Sequence, residues 1–341
     1  MNKKKMELPL IEPMFSTYHH HGTSTAILKS NPSIKNWVYN QAIGLGCGRS
    51  FLEGFTSPQA DILISSHNDN PFIIKVPIAM KYLGEHTNSV IRSLIDDGFY
   101  VYFNEVDDYY MQGKSWYKEN HAPHSGLVCG YDQEKKAFSI YAYDKDWRYR
   151  VFEMPQAAMD RGRIGALKRA KNPTLYGLKP KADKCELHVP TICMRLRDYL
   201  NSSFKKYPAD IHKHPASSMN RAYGIVVHDY LALYLDRLLD GSIPYDHMDR
   251  RIFRLIWDHK SVMLGRIKAV EELLMLGCQI SQKYEPLVKQ AEKMRMMYAI
   301  YNRRKRDSLL VEIKKLLLDL REREAPILEE FIHKAEGAKW L

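Results

Sequence analysis

Two hydrophobic periods divide the chain. Up to about residue 155 the apolar residues come in short runs bounded by turn formers, at 61–65, 99–106, 127–131, 138–143 and 149–152. Runs of this length, rich in aromatic and β-branched residues, predict strands. A helical stretch over 85–96, closed by Gly98, lies among them. From about residue 185 onward the period is helical. Leu309, Ile313, Leu316 and Leu320 recur at i, i+4, i+7 and i+11 and so share one helix face, and residues 253–276 are as dense. Between the two parts, Pro173, Gly177 and Pro180 break a basic stretch, which predicts a connector over 156–184. The pattern predicts an α+β fold, with a mixed domain over 1–155 and an all-helical domain over 185–341.

The most informative local pattern runs from His124 to Asp144. A short apolar run closes at Gly130, a polar turn spans 132–136, and a second apolar run follows over 137–143. This predicts a β-hairpin, and antiparallel pairing across its turn sets His124 beside Asp144. A histidine with a carboxylate to orient it is two thirds of a nucleophilic triad. Asp146, two residues on, shares the face of Asp144 on a continuing strand and is the fallback acid. The same residues also fit an ordinary hairpin ending in a solvated His and Asp.

Two further segments carry chemistry. In Tyr18 to Ala26 three histidines and Gly22 precede Thr23, Ser24 and Thr25, so a polar loop enters a helix with a hydroxyl as its cap. A nucleophile at such a helix start gains from the macrodipole and from free N–H groups that hold an oxyanion. Adjacent histidines on an extended chain point to opposite sides, so no metal site is expected there. The second segment holds Gly44, Gly46 and Gly48 around Cys47. It lacks the spacing of a dinucleotide fingerprint and the Gly-Lys-Ser/Thr of a phosphate loop. In a tight exposed turn, Arg49 would favour the Cys47 thiolate; in a packing turn the thiol is inert.

Composition narrows the classes. The 341 residues carry a formal charge of +11 and no apolar run long enough to span a membrane. Glu7, Pro9, Glu12 and Pro13 interrupt what would be a signal-peptide core, so a cytoplasmic location is expected. The five cysteines are scattered, as reduced thiols are, and lack zinc-site spacing. Basic residues cluster over 161–184 and again at Arg303 to Arg306. Neither cluster is interleaved with aromatic residues and no DNA-binding signature is present, which argues against nucleic acid.

Taken together, His21-Gly-Thr-Ser-Thr-Ala26, Gly44-Leu-Gly-Cys-Gly48, Gly98-Phe-Tyr-Val101, Asp108-Tyr-Tyr110, the strand from His124 to Asp132, and Asp144 occur in an order that resembles the N-terminal domain of the butirosin biosynthesis protein H family. The resemblance covers roughly residues 15 to 155. It implies a papain-like domain that moves an acyl group from a carrier-protein thioester to an amine or hydroxyl acceptor in antibiotic assembly, without a cofactor. His124 would be the general base, Asp144 its orienting acid, and backbone N–H groups near 22–24 or 46–48 the oxyanion donors. Gly22 stands where the family's cysteine is expected. The resemblance therefore leaves Cys47, Ser24 or Thr23 as the nucleophile, with Cys47 chemically preferred, or a domain without one. It further implies an acidic acyl or peptidyl carrier protein as partner, a small-molecule acceptor, and a helical domain that closes over the acyl chain or joins homo-oligomers. The alternatives it leaves open are an inactive binding domain for a carrier protein or peptide, and a cysteine peptidase or amidase.

Overall fold

The computed structural model describes residues 4–27, 33–54, 57–64, 70–146, 148–203 and 220–338. Its strands are β1 (Lys5–Glu7), β2 (Leu45–Gly48), β3 (Asp61–Ile62), β4 (Ile73–Ala79), β5 (Tyr100–Asp107), β6 (Pro123–Asp132), β7 (Ala137–Tyr143), β8 (Tyr149–Pro155), β9 (Thr174–Pro180) and β10 (Arg221–Tyr223). Its helices are α1 (His19–Ala26), α2 (Ser33–Gln41), α3 (Thr87–Asp96), α4 (Gln156–Arg169), α5 (Val189–Leu200), α6 (Val227–Leu239), α7 (Ile252–Leu273), α8 (Gln279–Arg304) and α9 (Asp307–Gly337). The chain is mixed α/β, with an antiparallel sheet in its N-terminal part and helices in its C-terminal part. No helix among the described residues is long and apolar enough to cross a membrane.

Two compact units form, and each is discontinuous in sequence. The first combines Met1–Pro32 with Ser66–Lys184, and the second combines Ser33–Ser65 with Cys185–Leu341. This differs from a contiguous division at 155 and 185 in two places.

The first difference is the basic stretch. Residues 156–184 do not link domains; they supply α4 and β9, and β9 lies inside the sheet order β4-β9-β5-β6-β7-β8. Leu175 and Leu178 are buried there. Gly177 and the bounding prolines, which read as turn formers, instead sit along or at the ends of a strand that pairs with both β4 and β5.

The hairpin prediction holds. β6 pairs with β7 through a turn in which Asp132 Oδ1 accepts the N–H of Lys135 at 3.0 Å and Lys136 takes a left-handed φ of 50°. β6 also pairs with β5 over its first half and with β1 over its last residues. With α1, α3 and α4 all packed on it, β6 has no solvated face at Leu127, Val128, Cys129 and Tyr131. Enclosure on both faces explains a continuous apolar run in place of alternation.

The second difference concerns residues 33–65. They belong with the helices because buried side chains of α7 bind their backbone. Arg266 donates from Nε to the Tyr39 carbonyl at 2.6 Å and from Nη2 to that of Ala42 at 2.5 Å. His259 Nε2 donates to the Ile43 carbonyl at 2.8 Å. The glycine run that follows is a strand rather than a ligand loop, since β2 pairs with β3 and with β10, Cys47 facing Ala222. A Cβ on Gly44 would fall 2.8 Å from Leu63 Cδ1, so the Leu63 side chain packs directly over this glycine. In α9 the buried stripe is Leu310, Ile313, Leu317 and Leu320, one residue over from Leu309 and Leu316 at two of four positions.

Candidate active site in the sheet unit

Asp107, the last residue of β5, and Asp108, just after it, each hold a histidine, His121 ahead of β6 and His124 in its first residues. A bulge between Phe103 and Val106 shifts the β5–β6 register so that Val106 faces His124. The chain then turns at Asp108, whose N–H donates to the Ala122 carbonyl at 2.9 Å. His124 Nδ1 lies 2.7 Å from Asp108 Oδ2. The Asp108 side chain is 2% exposed and that of His124 is 39% exposed. A buried carboxylate on Nδ1 fixes the proton there and leaves Nε2 as the basic nitrogen, so the pair has the geometry of a general base with its orienting acid.

This corrects the assignment of Asp144. The β6–β7 register, with Leu127 opposite Tyr141, does bring Asp144 across from His124 when continued. Its carboxylate is spent on its own turn. Oδ1 accepts the N–H groups of Asp146 at 2.8 Å and Arg148 at 2.9 Å, and Oδ2 pairs with the Arg150 guanidinium. Burial alone would raise the pKa of Asp144, but the N–H groups of Arg148 and Asp146 and the guanidinium of Arg150 bring it below the usual carboxylate range. Asp146 is exposed and serves the turn through its backbone.

Around the dyad lie a lysine, a further histidine and several aromatic rings. The Trp116 ring packs 4.7 Å from the imidazole of His124. Lys114, 5% exposed, brings its ammonium to 3.8 Å from the same Asp108 Oδ2 that binds His124. Burial lowers the pKa of Lys114, and Asp108 opposes this. His19 opens α1 between the rings of Tyr143 and Tyr149, at 5.0 and 5.3 Å. Its pKa lies well below that of a free histidine, first through burial and then through the neighbouring Lys114, His124 and His20. The second acid, Asp107, takes His121 Nδ1 at 2.8 Å and Arg169 Nη1 at 3.3 Å, while Tyr109 stacks on His121 at 4.1 Å. α4 clamps this pair, since a Cβ on Gly165 would sit 2.5 Å from Asp107 Oδ2.

The expected nucleophiles are otherwise engaged. α1 begins at His19, so the three histidines occupy its first turn and Thr23, Ser24 and Thr25 lie inside the helix instead of capping it. Ser24 Oγ donates back to the carbonyls of His20 and His21, at 3.0 and 2.9 Å, and Thr25 Oγ1 to those of His21 and Gly22. Thr23 shares a 3.3 Å hydrogen bond with the Tyr149 hydroxyl. Position 22 is closed, because a Cβ there would meet Tyr149 Cε1 at 2.8 Å and the Phe15 carbonyl at 3.1 Å. Cys47 belongs to the other unit, buried on β2. Burial pushes its thiol up to about 12 although Arg221 and Arg49 pull the other way, so it stays protonated at neutral pH and is not an activated nucleophile.

Sequence reasoning missed Asp108 as a partner and Lys114 and Trp116 altogether, and took His19 only as one of three adjacent histidines. Asp108 was visible only as part of the Asp-Tyr-Tyr segment, since its link to His124 depends on the β5 bulge. Compared with known proteins, the chain matches no family model and none of the curated proteins.

Proposed function

We propose that the sheet unit is a papain-like acyl-transfer domain, of the kind found in the butirosin biosynthesis protein H family, that works without a covalent enzyme intermediate. His124 Nε2 takes the proton of an amine, hydroxyl or water acceptor as that acceptor attacks a thioester or ester carbonyl, and Asp108 holds the imidazole in the reactive tautomer. The acyl oxygen takes up the electron pair, and collapse expels the leaving group, which receives the proton back from His124. One observation carries this reading: a half-exposed imidazole held at 2.7 Å by a buried carboxylate. Direct attack is favoured over an acyl-enzyme because Tyr149 fills the space at Gly22 and Ser24 bonds to its own helix. An acidic carrier protein as donor would suit the basic residues Arg161, Lys168 and Lys171, which are exposed on and after α4.

The test pairs product analysis with intact mass, using an acyl-phosphopantetheine thioester and a panel of amines. Wild type should form amide or acid with no acylated protein, and His124→Ala should be slower by about 10²- to 10⁴-fold. An acyl adduct on Ser24 or Cys47 would sink direct attack. Equal rates for wild type and His124→Ala, with the thioester still bound, would favour a binding domain, the reading that the closed position 22 supports.

A further inference from the structure

One end of the helical unit gathers cations that the fold leaves without acids. Arg303 and Arg304 close α8, Lys305 takes a left-handed turn at φ 49°, and Arg306 precedes α9; each is exposed. The loop ahead of α7 lies against this turn. The Tyr245 hydroxyl donates to the Asn302 carbonyl, and the Lys305 ammonium sits 3.9 Å over the Tyr245 ring. The Tyr298 hydroxyl donates to the Asp249 carbonyl at 3.0 Å, which brings the exposed Arg250 to the same end. Along the sides of α8 and α9, by contrast, Lys283, Lys293, Lys314, Arg321, Arg323 and Lys334 each hold a carboxylate. Arg250, Arg303, Arg304 and Arg306 have none within ion-pair range among the described residues. The acids of these two segments are Asp249, whose carboxylate Arg251 already holds, and the exposed Asp246 and Asp307. Cations gathered in this way repel one another, and a surface of opposite charge relieves the repulsion.

We propose that this end of the helical unit docks on an anionic phospholipid surface, with the cations among the headgroups and Ile300 in the boundary between headgroups and acyl chains. Two observations favour a lipid surface over a nucleic acid. The first is apolar. Met296 and Ile300 are 51% and 43% exposed and lie one turn apart on α8, and Ile300 is followed at i+3 and i+4 by Arg303 and Arg304, so it shares their face. A phosphate backbone would leave the isoleucine in water, whereas the interfacial boundary takes it up, and an apolar stripe beside arginines is the pattern of an element that lies in a membrane surface. The second is divergence. Arg304 has helical backbone, Lys305 is left-handed, and Arg306 is extended at φ −92° and ψ 106°, so consecutive side chains leave the turn in different directions. The fixed phosphate rows of a duplex suit cations that line a groove. Lipid headgroups diffuse, and so can meet each member of a convex fan.

The experiment is co-sedimentation of the full-length protein with vesicles of phosphatidylcholine alone and of phosphatidylcholine mixed with phosphatidylserine. Wild type should bind the mixed vesicles, release them as salt is raised, and ignore the neutral ones. Arg303→Gln with Arg304→Gln should weaken binding by about 10- to 30-fold, since each cation near such a surface is worth about fivefold. Ile300→Ser should weaken it about fivefold and leave the salt dependence unchanged. Lys289→Gln with Lys315→Gln removes the same charge from exposed positions on the sides of the bundle and should change binding by less than about twofold. Every substituted position is exposed, so the core is untouched, and circular dichroism checks that each variant is folded. Equal losses in the two double variants would reduce the binding to net charge and overturn the docking face. Wild type that leaves the mixed vesicles unbound, or binds both kinds alike, overturns it as well. Binding to a DNA duplex that needs Arg303 and Arg304 but not Ile300, with the mixed vesicles left free, would assign this end to nucleic acid and refute the lipid reading.

Discussion

Glu324→Gln should destabilise the helical unit by about 3 to 5 kcal/mol, the loss expected when one partner of a buried ion pair is removed. Glu324 and Lys260 are both fully buried, with Nζ at 2.6 and 2.8 Å from the two carboxylate oxygens. The hydroxyl of Tyr199 donates to Glu324 at 2.8 Å, and that of Tyr284 donates as well. These contacts tie α5, α7, α8 and α9 to one carboxylate. Burial would raise the pKa of Glu324, but the Lys260 ammonium and the nearby His228 and His259 bring it to about 2. Removing the carboxylate leaves Lys260 charged without its acid, or forces it to give up its proton. Replacing both residues with apolar ones of similar size, as in Lys260→Met with Glu324→Leu, should recover most of the loss. Urea unfolding of the three proteins checks this. A Glu324→Gln midpoint equal to wild type would contradict it.

The same cluster makes stability fall with acid. His228 and His259 are buried beside Lys260. His228 Nδ1 donates to the Ile225 carbonyl at 2.7 Å, and neither His228 Nε2 nor His259 Nδ1 has a hydrogen-bond partner among the described residues. Burial first, and Lys260 second, lower the pKa of His228 from 6.5 to about 3. Burial and Lys260 also take His259 well below the free value. The folded state therefore binds fewer protons than the unfolded state below pH 6.5. The stabilisation is complete above that pH and is lost as pH falls from 6.5 towards 3. At pH 5 the loss from His228 alone is about 2 kcal/mol, with His259 adding in the same direction. Glu324 extends the decline below pH 4.5, since its depressed pKa stabilises only while it is ionised. Stability measured at pH 7, 6 and 5 should fall with a slope that His228→Gln reduces; an unchanged slope would mean that His228 titrates freely in the fold.

Local pattern made His124, the hairpin and the helical half legible. Continuous apolar runs mark enclosed strands, and the turn 132–136 has the residues its geometry needs. What escaped depends on distant pairing. Asp144 has the correct register to face His124, yet Arg150 and two N–H groups claim its carboxylate, while Asp108 arrives from the other neighbouring strand through a bulge. The glycines around Cys47 have the spacing of a bend, but Leu63 and β10 press on them and make a strand. Residues 33–65 read as part of the front half because nothing in their own pattern reveals that Arg266 and His259 bind their carbonyls. β9 carries two prolines' worth of turn signal around a segment that pairs on both sides.

The central claim is that Asp108 orients His124, and the ¹⁵N spectrum of the His124 imidazole in wild type, Asp108→Asn and Asp144→Asn tests it most directly. In wild type, with the ring in its base form, the proton should reside on Nδ1; Asp108→Asn should shift it towards Nε2, and Asp144→Asn should leave it in place. A wild-type ring protonated on Nε2, or a tautomer that responds to Asp144→Asn and ignores Asp108→Asn, would contradict the assignment.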